Sequence, residues 1–343
     1  MKTRTLRYII PLIAVVALLA AAAYRFMSES PSQPQTQSKD KRRPLRFGFS
    51  PWVGYYPFPL AKEKGFFAQQ GVDVELVLKT DLNDLLPDLA AGRIDGFAFP
   101  PDAPVRLLSK GTKLKIVLCN GDCLGCDSVI AQPRFQSVAD LKGQKVGVLV
   151  GSFGEMLIDE MMRQNKLTIG DVQLVNADER AVTASVKNDT IQAGHTWEPH
   201  TSQALKDGAK VLFSTKQTPG LFTDITMFSE SVIDERPDDI RAFIRAWYQA
   251  VAYWDANPNE GNEIVGRAMS LPPGDIVDAR GAYEYFSPEE ARKRLALGND
   301  PKSLTSIMDK HTDFLVRTGA LGRRPSFDGL ITTELMPSAA LPR

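Results

Sequence analysis

The chain has no surplus of either charge. Its 41 basic residues are matched by 41 acidic ones over 343 positions, so the formal net charge is zero. Without a basic excess there is nothing to neutralise a phosphate backbone, which argues against a nucleic-acid partner. No block of like charge is long enough to act as an interaction tail. Histidine is scarce, at His195, His200 and His311, and so is cysteine, at Cys119, Cys123 and Cys126. The cysteines share one short stretch with C-x3-C-x2-C spacing, and no fourth cysteine completes a cluster motif. Three readings stay open for them: a local disulfide or plain packing, a ligand-facing role, and metal or redox chemistry. No metal-ligand set is assigned. His195 and His200 lie five apart with Pro199 between them, so they do not share a helix face. What remains is an ordinary globular composition, 43% hydrophobic and 24% charged, with length enough for two domains.

The first 26 residues stand apart. Lys2, Arg4 and Arg7 precede an apolar run from Tyr8 to Tyr24 that is broken only by Pro11. A basic start, an apolar middle and small residues at Ala20 to Ala23 are the layout of an export signal. The run also falls within the roughly 17–25 residues that cross a bilayer, so residues 1–26 read either as a cleaved signal peptide or as a retained anchor. No cysteine follows, which argues against a lipid anchor. Both readings place the body outside the cytoplasm, in a periplasm or its equivalent, free or held at the inner membrane. Residues 27–43, rich in Ser, Pro, Gln and charge, have almost nothing to bury and read as a flexible linker.

The body opens with Leu45 to Phe67. A short strand pattern breaks at Ser50-Pro51-Trp52-Val53-Gly54 and becomes helical through Leu60, Phe66 and Phe67. Strands follow at Val74 to Leu78, Ile94 to Phe99 and Lys113 to Leu118, with a helix expected over Asp81 to Ala91. Short β-α-β-α-β connections make a parallel sheet the default. The pattern restarts at Ser128 and runs through a strand at Lys145 to Val150, the turn Gly151 to Gly154, a helix to Gln164, and a strand expected at Thr190 to Ala193. A long helix, Pro237 to Asn257, carries Ile240, Phe243, Ile244, Trp247, Val251 and Trp254 near helical spacing. The mainly helical remainder is expected to pack back on the first unit.

Several stretches together carry a family resemblance: Trp52 with Pro57 to Phe67 (PFPLAKEKGFF), Leu89 to Phe97 (LAAGRIDGF), Ser137 to Gly151 (SVADLKGQKVGVLVG), Ala193 to Pro199 (AGHTWEP), and Pro237 to Tyr253. In order and spacing the body, over roughly residues 45–270, resembles the extracytoplasmic solute-binding proteins of the nitrate/sulfonate/taurine and thiamine-precursor (pyrimidine) type, the receptors of ABC importers. The resemblance implies an α/β, two-lobed periplasmic-binding-protein fold of type II, with a ligand cleft between lobes and two crossing segments. Lobe one would be residues 44–122 plus 226–343 and lobe two 123–225. It implies capture of a small molecule and delivery to an ABC permease by a monomer that needs no cofactor. A membrane-anchored sensor domain of the same fold is the alternative. The chain also resembles the eukaryotic thiamine-pyrimidine synthase, which uses a pyridoxal phosphate lysine, a histidine and a cysteine cluster. Asp95 to Ala103 here holds neither lysine nor histidine, and the cysteines lie elsewhere, so no enzymatic activity is expected.

Ligands of open α/β sheets sit at the carboxyl ends of strands. Strand-end loops should therefore line the cleft, which selects Ser50, Trp52, Tyr55 and Tyr56; Asp102; Cys126, Asp127 and Ser128; Gly151, Ser152, Phe153 and Gly154; His195, Trp197 and Glu198; and Asp224. The glycine turn lets backbone N–H groups face an acceptor, and is closer to the thiamine-pyrimidine branch than to the sulfonate branch. Plain packing competes with each assignment: Trp52 as core, Tyr55 and Tyr56 as loop cover, His195 as a structural histidine. The selected set holds four acids and no lysine or arginine. A neutral or cationic nitrogen heterocycle stacked on an aromatic platform fits it more directly than an anion does.

Overall fold

The computed structural model describes residues 43–80, 82–296, 298 and 300–337. The apolar run, and the linker up to residue 42, lie outside the described residues. Among those described, no helix is long and apolar enough to cross a membrane.

Among the described residues, eleven strands form two sheets. The first is built from β1 (Leu45–Phe49), β2 (Val74–Leu78), β3 (Gly96–Phe99), β4 (Leu114–Cys123), β10 (Thr223–Ser229) and β11 (Tyr283–Tyr285), in the order β11-β4-β10-β3-β1-β2. The second holds β5 (Asp127–Ala131), β6 (Lys145–Val148), β7 (Gln173–Asn176), β8 (Ala193–Trp197) and β9 (Lys210–Ser214), in the order β7-β6-β8-β5-β9.

The all-parallel default holds only in part. β1 runs parallel to β2 and β3, and β6 to β7 and β8. β10 lies antiparallel between β3 and β4, and β5 is antiparallel to both β8 and β9. The cause is topological. The chain leaves the first sheet at the end of β4, builds the second, and returns through β10, which enters from the opposite end. All of β10 except Ser229 is buried, as a strand covered on both faces requires. The first crossing is the tight turn Leu124 to Cys126, where Gly125 takes φ +116°, a conformation that favours glycine.

An aromatic core holds the first sheet against its helices. Phe58 of the Pro57–Glu63 helix packs 4.4 Å from Trp247 and 4.6 Å from Phe47 of β1, ring centre to ring centre. Phe47 lies the same 4.6 Å from Phe243. Phe243 and Trp247 belong to the Pro237–Ala256 helix, whose Ile240, Ile244 and Trp254 are also buried. Pro237 starts that helix where a missing N–H costs nothing. The C-terminal segments do return to the first sheet: β11 pairs with the end of β4, Tyr283 opposite Cys123.

The strand expected at Lys113 to Leu118 runs on to Cys123, and two further predicted elements move. The helix expected over Asp81 to Ala91 contracts to Leu85–Ala90 after a short 3-10 turn, which leaves Pro87 in the first helical turn. The strand expected at Thr190 to Ala193 becomes Ala193–Trp197, because Asp189 adopts φ +63° and the chain is still turning there. His195 is therefore a strand residue.

Candidate functional site

The carboxyl ends of the parallel strands and the amino ends of the antiparallel β5 and β10 meet around a cavity of about 270 Å³. From the first lobe it is lined by Ser50, Trp52, Tyr55, Phe99, Asp102 and Asp224, and from the second by Asp127, Ser152, Phe153, Glu179 and Trp197, with Phe222 at the return crossing.

Asp224 near the start of β10 anchors one wall. It accepts hydrogen bonds from Trp52 Nε1 at 2.7 Å and from the Tyr55 hydroxyl at 2.6 Å. Burial pushes its carboxyl up to about 7, against the pull of these donors. The same burial and the Asp224 charge hold the Tyr55 phenol well above its ordinary range. Gly54 lets this happen: a Cβ there would sit 2.3 Å from Asp224 Oδ2.

The opposite wall rests on β5 and β8. Asp127 pairs with Trp197 and Val129 with His195, so all four share one sheet face. The diagonal neighbours Asp127 and His195 meet at 2.9 Å, Oδ1 to Nε2, and both are buried. Burial raises the Asp127 carboxyl, and the His195 contact opposes the rise. Glu179, at the start of the Glu179–Lys187 helix, is raised by burial too, with His195 again opposing.

Two arginines join the cavity lining, which the charge reading from sequence did not anticipate. Arg106 lies one helical turn beyond Asp102 on the Asp102–Ser109 helix. Its Nε is 2.9 Å from Asp102 Oδ2, and its Nη2 donates to the Gly151 carbonyl of the other lobe. Arg180 is held by Asp178 at 2.6 Å. Both are committed to acceptors of the protein. The i, i+4 spacing of Asp102 and Arg106 was a usable signal. Asp178 to Arg180 follow β7, where the strand-end rule applied but was not carried through.

Of the residues selected from sequence, Ser50, Trp52, Tyr55, Asp102, Asp127, Ser152, Phe153, Trp197 and Asp224 line the cavity. The others sit behind or beside it. Tyr56 is fully buried with its ring 6.4 Å from Trp254. Cys126 is bonded to Cys123, and it is Cys123 that faces the cavity. Ser128 pairs with Thr196 and Ser214 on the reverse face of the sheet. Gly151 offers only its carbonyl, to Arg106. Gly154 packs so closely on His195 that a Cβ would lie 2.3 Å from Nδ1. His195 supports Asp127 from below, and Glu198 accepts the Ser202 N–H at 3.1 Å inside its own turn. In the turn before the Phe153–Gln164 helix, the Gly151 N–H goes to Glu155 and the Gly154 N–H to Ser152 Oγ.

Two α/β lobes with a cavity at the crossing between them define the periplasmic-binding-protein class. The chain belongs to the NMT1/THI5-like family, whose model matches residues 52–261. It is 26% identical over 277 residues to a binding protein of Brucella abortus, covering 79% of this chain and 86% of that one. It is 27% identical over 275 residues to an aliphatic sulfonates-binding protein of Bacillus subtilis, covering 77% and 78%. The crystal structure of the periplasmic aliphatic sulphonate-binding protein of Escherichia coli superposes with a TM-score of 0.74 at 18% identity, covering 87% of this chain and 95% of that one. The role these relatives support for this chain is solute binding.

Proposed function

We propose that this protein captures a small, nitrogen-containing organic molecule between its lobes, outside the cytoplasm, and delivers it to an ABC permease. The observation that carries the reading is the charge of the cavity. Asp127, Glu179 and Asp224 are buried carboxyl groups whose ionised forms lack a full cationic partner, and the two lining arginines already serve Asp102 with the Gly151 carbonyl, and Asp178. Such a site favours N–H donors and cations over sulfonate or nitrate. Trp52, Phe153, Trp197 and Phe222 supply flat apolar surface for a ring. The B. subtilis and E. coli relatives are named for sulfonates, so the reading separates this chain from them by ligand charge.

Thermal-shift screening of the full chain against aminopyrimidines, amines, sulfonates, taurine and nitrate tests it. A ligand present at a hundredfold excess over its Kd adds about 2.7 kcal/mol. Stabilisation by the first two classes and none by the anions is expected, and Trp52→Ala should remove it. Stabilisation by sulfonates alone would refute the charge argument, and conversion of a stabilising compound to a product would refute a pure binding role.

A further inference from the structure

The cysteine pair of the C-x2-C-D run at the first crossing is not used by the ligand reading, which draws only on its Asp127. Cys123 ends β4, Cys126 closes the turn, and Asp127 opens β5. In the oxidised chain the two sulfurs are joined. Both sulfurs and one Asp127 carboxylate oxygen lie within 4.8 Å of one another, and all three residues are buried. Asp127 Oδ2 is 3.2 Å from Cys123 Sγ. The Asp127 N–H points at that sulfur from 3.2 Å, and the Thr215 hydroxyl lies 3.0 Å from it.

Two cysteines with two residues between them and a neighbouring carboxylate form a zinc-type donor set. Zn–S bonds of about 2.3 Å and Zn–O bonds of about 2.0–2.2 Å need donors within such a span. A metal-bound carboxylate is itself held by a hydrogen bond, and His195 Nε2 sits 2.9 Å from Asp127 Oδ1. Cys123 and Asp127 line the cavity, which gives an ion a path in and leaves its fourth position facing the cavity.

We propose that, when reduced, Cys123, Cys126 and Asp127 form a three-ligand site for Zn²⁺ or a similarly thiophilic divalent cation, open to the cavity. The disulfide and the metal form exclude each other. Reduction adds two electrons and two protons to the S–S bond; a phosphine reductant supplies the electrons and ends as its oxide with oxygen from water. Zinc then displaces both thiol protons as it binds.

The test is a zinc titration of the full chain against a chromophoric chelator under anaerobic conditions, before and after phosphine reduction, with Co²⁺ as an optical probe. Reduced protein should take one Zn²⁺ per chain, and its Co²⁺ form should show thiolate-to-metal absorption. Oxidised protein and Cys126→Ser should bind at least tenfold more weakly. Cys119→Ser should bind as the parent does, since Cys119 is outside the donor set. Equal affinity in both redox states, or no uptake after reduction, overturns the proposal. That comparison uses the unaltered chain, so it does not depend on a variant folding.

Discussion

Asp224 offers a measurable consequence of burying a carboxyl group. Its folded value of about 7 lies roughly 3 units above the ordinary 3.8. A group raised in the folded state is held protonated there while the unfolded chain ionises. Its contribution to stability is therefore full below about pH 4, falls as pH rises, and levels off above about pH 7. At 1.36 kcal/mol per unit the whole loss is about 4 kcal/mol, of which about 2–3 kcal/mol falls between pH 5 and 8. Asp224→Asn removes the titration and keeps an acceptor for Trp52, while the Tyr55 hydroxyl can turn to accept from the new amide. Urea unfolding of both proteins at each pH isolates the term, because the other titrating groups cancel in the difference. Relative to the parent, the variant should gain about 2–3 kcal/mol from pH 5 to 8. Parallel stability curves would refute the burial argument. The same titration bears on ligand choice: a cationic ligand should bind more tightly as pH rises through 7 and the carboxylate forms, whereas a neutral donor should not.

Three further substitutions test the packing. Gly154→Ala places a methyl against the His195 ring and should cost about 1–3 kcal/mol, read as a lower thermal midpoint. Arg294→Met leaves Asp122, 3.1 Å away and buried, without its cation; a cost of about 3–5 kcal/mol is expected at pH 8. Because burial already raises the Asp122 carboxyl, that cost should shrink toward pH 5, which chemical unfolding at the two values would show. Arg317→Gln breaks the paired hydrogen bonds, 2.7 and 3.0 Å, between the Leu304–Arg317 helix of the first lobe and Asp159 of the second. Arg317 is half exposed, so the pair is worth about 1 kcal/mol, or about fivefold in the ratio of closed to open forms. Small-angle scattering without ligand should report a larger radius of gyration, and an unchanged radius would remove the pair from the closing contacts.

The fold was legible wherever local pattern and global packing agree. The Pro237–Ala256 helix and the Leu45–Phe49 strand follow from periodicity, and both sit where their apolar faces require. The direction of β10 was not legible. A strand such as TDITMFS is buried on both faces and alternates identically whichever way it runs, so its pattern carries no information about parallel or antiparallel pairing. The displaced β8 was hidden for another reason. Asp189 takes a left-handed conformation that asparagine and aspartate tolerate without announcing it. That shift placed His195 on the same face as Asp127, a pairing the loop reading could not contain.

The site shows a sharper limit. Strand-end position selects which residues approach the cleft, and alternation then decides which of them enter it. Asp127 enters and Ser128 does not, because successive strand residues face opposite ways. Neither rule says which charges are already spent. Arg106 and Arg180 line the cavity, yet geometry ties one to Asp102 and the Gly151 carbonyl and the other to Asp178. Counting charges along the chain gives zero, and counting the cavity lining gives acids and bases together. Only after the internal ion pairs are removed does an excess of buried carboxyl groups remain. That remainder, rather than the composition of the lining, decides whether a ligand must bring a positive charge or a hydrogen-bond donor. It makes Asp224 and Asp127 the residues whose neutralisation should change ligand class, and leaves Trp52 to set how flat the ligand must be.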